Sequence, residues 1–485
     1  MLIFGNLKTN KTEILIEKYS NLLNSGVSSD EILVLVQNSK LKNEFIEKTK
    51  KLLKIEAITK FNVYSYFGLC YNKLLEFYPL IEEKINIGDV VVSPKTCGLE
   101  ASRYIFKNAI DKINFKGYNS KVNLLHQLLR RLSLITMNDL SDDEIKERTK
   151  ILKESFTSDV NLAINMYKKE TLKYRAFDYL RQAQLFSYIF KNSPNPYKYV
   201  FLDDADEITP LIFDYLNFIK KDVKEFFIAT DKKGGSRVGY LCAQDTDFEA
   251  FLCETPIVLE DDKKGDEIYD NISNNSPVIL ENLKNKEFIR ADEMAEYLVD
   301  SVNSLLDKSV KASDILIVIP ENDQFLKFYL DKIKSEINFI TGSEKIEENK
   351  TVSALISIMK LIIEPINFKI SPYKLKGLLG QVLGFSLDDS VEIAQAYEAD
   401  FGAKNIFEIL ETYIEIGKTK EFLNLKEELK DKKLSEILFK ITNLFIEKNE
   451  NNKTDYEKIN RLLKQLRDFE DIFKTFNKSE LLIQL

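Results

Sequence analysis

The stretch Leu2-Ile3-Phe4-Gly5-Asn6-Leu7-Lys8-Thr9-Asn10-Lys11-Thr12 decides how the rest of the sequence is read. Leu2 to Phe4 form a short apolar run suited to a buried strand, and Gly5 to Asn10 form a polar loop. Ile14, Leu15, Tyr19, Leu22 and Leu23 then recur at helical spacing. Gly5 and Lys11-Thr12 fit the pattern G-x-x-x-x-G-K-[ST] between a strand and a helix. Backbone N–H groups in such a loop cradle phosphates, the lysine reaches the outer phosphates, and the hydroxyl holds Mg²⁺. Asn10 stands where the pattern has its last glycine. Among non-glycine residues, asparagine visits left-handed backbone most readily. An ordinary turn between strand and helix, containing Lys-Thr by chance, fits the same residues equally well.

Working outward, a second buried strand is predicted at Ile32 to Val36, after the turn Ser28-Ser29-Asp30. A helix follows over Lys40 to Leu53, then a third strand candidate at Ile55 to Thr59. Strands alternating with helices predict an α/β fold with a parallel sheet covered on both faces. From Gly98 to Phe190 the pattern is helical only, as in the amphipathic stretch Val122 to Leu134. The alternating rhythm returns at Tyr199 to Leu202 and at Phe226 to Thr230, so a helical block is inserted into an α/β domain. Asp261 to Asn285 reads as a polar linker. A new α/β unit starts near Phe288, with a helix over Asp292 to Leu306 and a strand over Ile315 to Ile319. From Thr351 onward the pattern is almost entirely helical, and charge runs such as Lys426 to Lys433 read as solvated helix faces.

The chain of 485 residues is long enough for about 3–4 units of ordinary domain size. With 44% hydrophobic and 30% charged residues it has the composition of a foldable globular protein. A net charge of −8 gives no overall pull toward nucleic acid, although an acidic protein can carry a basic groove. Cys70, Cys97, Cys242 and Cys253 lack CxxC spacing and read as thiols of a reducing compartment. His126 is the only histidine and has no nucleophile elbow beside it, so a structural role is expected. No apolar run reaches the ~18 residues of a membrane span. The expected location is the cytoplasm, with no membrane contact.

A second chemical motif is Tyr199-Val200-Phe201-Leu202-Asp203-Asp204-Ala205-Asp206-Glu207. An apolar strand ending in carboxylates can place one on Mg²⁺ and use the next to orient an attacking water. The same residues also suit a plain acidic loop after a buried strand. A phosphate-loop pattern elsewhere in the chain favours the first reading.

The order of segments resembles the UvrD/PcrA/Rep superfamily 1 DNA helicases and the related RecB-type helicase subunits. Ile32 to Phe45 resembles the family's apolar strand followed by Thr-Phe-Thr-Asn-Lys-Ala-Ala, with Lys40 matching and Gln37 and Asn38 departing. Asn62 to Tyr66 resembles Thr-Phe-His-Ser-Phe, with Ser65 kept and Tyr64 at the histidine position. Ala176 to Leu180 resembles Asp-Phe-Asp-Asp-Leu, and Leu202 to Pro210 resembles Val-Asp-Glu-Phe-Gln-Asp-Thr-Asn-Pro. Phe227 to Asp231, with Arg237 to Tyr240, resembles Val-Gly-Asp-x-x-Gln followed by Arg-Gly-Ala. Asp314 to Gln324 resembles Asp-Ile-Ala-Val-Leu-Tyr-Arg-Thr-Asn-Ala-Gln, and the spacing Ile363 to Leu410 is similar to the family's helical 2B insertion. Each motif is weak alone. Their order along nearly the whole chain carries the resemblance.

The resemblance implies a RecA-like motor domain 1A over residues 1–97 and 191–270, with a helical subdomain 1B over 98–190 inserted in it. Residues 271–365 would begin a second RecA-like domain 2A, and residues 366–485 would form a 2B-like helical insertion. It implies ATP and Mg²⁺ as cofactors. Gly5, Asn10, Lys11, Thr12, Asp231 and Arg237 would bind nucleotide, and Thr12 and Asp203 would hold the metal. Asp203 and Asp204 would be catalytic, and Lys40, Tyr64, Ser65 and Tyr66 would meet DNA. Single-stranded or tailed duplex DNA is the implied partner, in repair or recombination.

The departures from the family are specific. Glycines expected at Asn6, Lys8 and Asn10 are gone, and a non-glycine residue at positive φ costs on the order of 1 kcal/mol. Asp204 replaces a glutamate and is one methylene shorter, where catalysis responds to ~1 Å of misplacement. A family glutamine falls on Gly234, and a phosphate-touching arginine falls on Pro320. Losing a transition-state arginine costs about 10³–10⁵ in rate. The family's last two motifs are expected after a 2B domain, and the sequence stops at Leu485, inside the 2B-like part. Eroded ATPase motifs therefore admit a second reading: a non-catalytic helicase-fold scaffold, or a DNA-binding subunit with a nuclease or helicase partner.

Overall fold

The computed structural model describes residues 1–5, 9–54, 60–85, 94–113, 121–141, 143–145, 147–148, 158–231, 242–243, 246–259, 286–318, 349–363, 370–399, 406–416, 418–446, 453–473, 476, 478 and 481–482. The chain divides into two compact units, Met1–Lys263 with Lys350–Leu485, and Lys264–Asn349.

At the centre of the first unit lies a six-stranded sheet of order β3-β2-β6-β7-β1-β8. Its strands are β1 (Leu2–Phe4), β2 (Ile32–Val36), β3 (Val63–Ser65), β6 (Tyr199–Leu202), β7 (Glu225–Thr230) and β8 (Ile257–Val258). Every adjacent pair runs parallel. Parallel strands have both faces covered, which is why β2 reads Ile-Leu-Val-Leu-Val and is buried throughout. Helices α1 (Lys11–Asn24), α2 (Ser39–Leu53) and α3 (Tyr66–Ile85) follow β1, β2 and β3. Tyr19 of α1 is fully buried and meets Phe45, Phe61 and Phe201 edge-on, with ring centroids 5.6–6.1 Å away. Phe201 in turn stacks on Phe227 at 4.4 Å, which joins β6 to β7 beneath α1.

The strands expected at Ile32 to Val36 and Tyr199 to Leu202 form with those bounds. The candidate at Ile55 to Thr59 lies outside the described residues, and the strand that pairs with β2 is Val63–Ser65. Asp261 to Asn285 also lies outside them.

Between β3 and β6 the chain is mainly helical. Helices α4 (Leu99–Asp111), α5 (Lys121–Met137), α6 (Ser158–Tyr174) and α7 (Tyr179–Asn192) are joined at their base by two short strands, β4 (Lys95–Thr96) and β5 (Ala176–Phe177). These pair in parallel, Lys95 with Ala176 and Thr96 with Phe177. Leu74, Phe177, Leu185 and Ile189 form a buried cluster that packs α3 along α7. His126 is exposed on α5 rather than built into the core. Cys70 and Cys97 are buried, Cys253 is exposed, and all four cysteines are free thiols.

The described residues after Asn349 are helical. Helix Lys350–Ile363 is apolar over most of its surface, with Val352, Leu355, Ile358, Met359 and Leu361 fully buried and Ser353, Ser357 and Lys360 on one narrower side. Helix Lys453–Ile472 brings Phe469 and Phe473 against Tyr104 of α4, at 5.2 and 5.0 Å between centroids, and Lys95 Nζ donates to the Asp471 carbonyl at 3.0 Å. No helix among the described residues is long and apolar enough to cross a membrane.

In the second unit, helix Ala291–Asp307 packs Ala295, Val299 and Val302 toward Ile315 and Ile317. The strand expected at Ile315 to Ile319 does not form over the described part, Ile315–Val318. Alternate residues do face the helix, but Leu316 and Val318 stay 84% and 78% exposed, and no neighbouring strand among the described residues supplies ladder bonds. An extended backbone becomes a strand only when a partner accepts its hydrogen bonds.

Candidate functional site

The site lies at the carboxyl edge of the sheet, where β1, β6 and β7 end side by side. The chain leaves β1 at Gly5, whose N–H donates to the Thr230 carbonyl of β7 at 3.3 Å. A Cβ at Gly5 would sit 2.3 Å from Thr9 Oγ1 and 3.0 Å from Thr9 Cβ, so the turn admits no side chain there. Asn6, Leu7 and Lys8 lie outside the described residues. Asn10 caps the start of α1 in the left-handed conformation, φ 59° and ψ 29°. This is the conformation for which asparagine is the best substitute for glycine.

Lys11 and Thr12 open α1, and they reach two different strands. Lys11 is 7% exposed; its Nζ donates to the Gly5 carbonyl at 3.2 Å and forms an ion pair with Asp231 at the end of β7. Thr12 Oγ1 donates to Asp203 Oδ2 at 2.8 Å, at the end of β6. Residues about 190 and 220 positions apart in sequence are thereby brought to one helix start.

Asp203 is 2% exposed, and its N–H continues the ladder by donating to the Leu35 carbonyl at 3.0 Å. Burial raises its proton affinity, and the Thr12 hydrogen bond opposes the rise. Asp204 adopts a left-handed conformation, φ 50°, which turns the chain sharply after β6. Burial pushes its pKa up to about 7, and Asp203, Asp206 and Asp231 push the same way, while Lys11 opposes them. Asp206 lies in the same acidic turn. Its Oδ1 accepts the Asp231 N–H at 3.1 Å and so ties the turn after β6 to the end of β7. Its place three residues after Asp203, in a tight turn, was the only signal.

The hydroxyl of Thr12 and the carboxylate of Asp203 form an oxygen pair of the kind that suits Mg²⁺. The ammonium of Lys11 suits a phosphate oxygen. The donor set therefore fits a magnesium-bound polyphosphate. Arg237, expected to touch nucleotide, lies outside the described residues, as do Gly234 and Pro320.

The residues expected to meet DNA separate into two kinds. Lys40 is exposed on α2 and pairs loosely with Glu44 at 3.8 Å. The start of that helix is capped by Asn38, whose Oδ1 accepts the Lys40 and Leu41 N–H groups at 2.9 and 3.0 Å. Ser65 is half-buried, and its Oγ accepts the Gly68 N–H at 3.2 Å, fixing the first turn of α3. Tyr64 and Tyr66 are 8% and 3% exposed. The Tyr64 hydroxyl donates to Asn62 Oδ1 at 3.2 Å. The Lys42 ammonium lies over the Tyr64 ring, 5.7 Å from its centroid, and Tyr64 lines a cavity with Lys60, Asn62 and Tyr197. The Tyr64 and Tyr66 side chains are both buried where β3 (Val63–Ser65) runs directly into α3 (Tyr66–Ile85).

A search of curated proteins found no match to the chain. Residues 9–234, a little under half of the sequence, match the family model described as UvrD/REP helicase N-terminal domain. The match spans α1, β2, β3, the helices between β3 and β6, β6 and β7; it includes Lys11, Thr12, Asp203 and Asp231 of the site but not β1 or Gly5. By this match, and by the parallel sheet that carries it, residues 9–234 are similar to the N-terminal domain of UvrD/REP helicases.

Proposed function

We propose that the chain binds Mg-ATP at the start of α1 and acts on DNA as a UvrD/Rep-like translocase or helicase with a weakened ATPase centre, in repair or recombination. The observation that carries this reading is the Thr12–Asp203 hydrogen bond of 2.8 Å beside the buried Lys11 ammonium. Lys11 binds the outer phosphates, Thr12 and Asp203 hold the metal, and Asp204 orients water. Bound Mg²⁺ neutralises phosphate charge and polarises the bond that breaks. Without metal, burial and the neighbouring carboxylates push Asp204 up to about 7, and a cation held by Asp203 would lower it again. Asn10 holds a left-handed conformation where the family has a glycine. Binding is therefore weak and turnover slow.

The second reading is a helicase-fold scaffold, without turnover, in a nuclease–helicase complex. It draws on the same loss of glycine at Asn10. Calorimetric titration with Mg-ATP separates sites from non-sites: weak binding lost in Lys11→Ala supports the nucleotide reading. Tight binding indifferent to Lys11→Ala puts the site elsewhere. Strand displacement on a 3′-tailed duplex, with phosphate release measured alongside, separates a motor from a scaffold. Displacement abolished by Lys11→Ala means a working motor, and nucleotide binding without displacement or DNA-stimulated release means the scaffold.

A further inference from the structure

The weakness of the phosphate site has a source beyond the lost glycines, and it lies in Asp231. The Lys11 ammonium, the group needed by a phosphate, is already engaged by a carboxylate. Lys11 and Asp231 side chains are 8% and 20% exposed, so the pair is largely sheltered from solvent screening. Such a pair resists separation, because parting it leaves both charges poorly solvated. Asp231 is also held in place by backbone. The Thr230 carbonyl before it accepts the Gly5 N–H, and its own N–H donates to Asp206. It is thus clamped to the phosphate loop on one side and to the acidic turn on the other.

We propose that Asp231 is a latch on the phosphate site: it holds Lys11 in an ion pair that a magnesium-bound polyphosphate must break in order to bind. This rests on the nucleotide reading of Lys11 and assigns Asp231 the opposite sign to that reading, a competitor for the lysine rather than a ligand of the nucleotide. Two effects add. The polyphosphate must displace a carboxylate from Lys11. Once displaced, that carboxylate is left beside Asp204 and Asp206, and close to the incoming negative charge. Asp231→Asn removes both effects and keeps the shape of the side chain.

The test is a titration of the full chain with a fluorescent Mg-ATP analogue, comparing wild type, Asp231→Asn, Lys11→Ala and the double variant. The latch predicts that Asp231→Asn binds about tenfold tighter or more, in the range of a charge-assisted hydrogen bond. It also predicts that Lys11→Ala erases the gain in the double variant. A matching rise in the nucleotide-induced melting shift of Asp231→Asn is expected from mass action. Equal or weaker binding by Asp231→Asn, with Lys11→Ala still harmful, overturns the latch and leaves the nucleotide site standing. Binding indifferent to Lys11→Ala in both backgrounds overturns the site itself, and so does absence of binding by wild type and Asp231→Asn alike. Should Asp231→Asn fail to fold by its melting curve, Asp231→Ser carries the same expectation and the same outcomes.

Discussion

A single buried carboxylate and a half-buried cluster of four are handled in opposite ways. In the helical insertion, Asp178 is 4% exposed, and its oxygens are met by neutral donors. Oδ1 accepts the Arg181 N–H at 2.8 Å and caps α7; Oδ2 accepts the hydroxyls of Ser102 and Tyr167, which lie 2.7 Å apart. Each donor comes from a different helix, so one carboxylate ties α4, α6 and α7 together. At the sheet edge, Asp203, Asp204, Asp206 and Asp231 crowd around the single ammonium of Lys11 among the described residues, and three of them push Asp204 toward its neutral form. Where donors match acceptors, a buried carboxylate fastens helices. Where carboxylates outnumber cations, the charge is held against its own preference, as functional sites often require.

The largest expected effect tests the fastening role. Asp178→Ala removes a helix cap and the acceptor shared by the buried Ser102 and Tyr167 hydroxyls, leaving these only each other. Stability should fall by about 3–5 kcal/mol, read from the midpoint of urea unfolding. A loss under about 1 kcal/mol would mean that the two carboxylate groups do not differ in the way argued.

The next effect has the opposite sign and depends on pH. The Asp204 carboxyl is raised to about 7 in the folded chain, whereas an unfolded aspartate titrates near 4. Between those values the folded state binds more protons, so stability falls as pH rises through that window, and the deficit is complete above it. Asp204→Asn should therefore be more stable than wild type at pH 8 by about 1–3 kcal/mol, allowing for partial solvent screening. At pH 4 the two should nearly coincide. Unfolding curves at both pH values, without Mg²⁺, check this. A gain of equal size at pH 4 would trace the effect to packing instead of charge.

The smallest effect concerns a charge that water already solvates. Lys40→Ala should leave stability within about 0.5 kcal/mol. If Lys40 meets a DNA phosphate, single-strand affinity in fluorescence anisotropy falls and the salt slope drops by about one. Unchanged affinity and slope remove Lys40 from the DNA path. Tyr64→Ala and Tyr66→Ala, by contrast, should act on melting temperature first, since both rings are buried.

The sequence made the sheet legible wherever a strand is buried on both faces. Ile-Leu-Val-Leu-Val and Tyr-Val-Phe-Leu are continuous apolar runs, and no other local structure of that length uses them so well. Val63–Ser65 was harder, because an edge strand of three residues carries little pattern. Ile315 to Val318 met a related limit: alternation shows which side faces a core, but not which strand lies beside it. At the site, Lys11, Thr12 and Asp203 were legible because spacing fixes them locally. The Lys11–Asp231 pair was not, since it joins ends of strands that only the sheet order makes adjacent. The inward turn of Tyr64 and Tyr66 was equally hidden, since aromatic residues suit a core and a groove alike.

The short ribbon of β4 and β5 has a consequence for how this chain can be cut and joined. Because the two strands are parallel, the chain returns from the helical insertion heading in the direction in which it departed, displaced by one strand spacing of about 4.8 Å. Helix α3 before the ribbon and α7 after it already lie against each other. The insertion is thus a detour with matched ends, and a surgeon of the chain could close the gap from Pro94 to Ala176 with a linker of a residue or two, without reversing the backbone. Excision would expose Phe469 and Phe473, whose partner Tyr104 leaves with the detour. A spliced chain would therefore keep its sheet, yet become sticky at the flank of its last long helix.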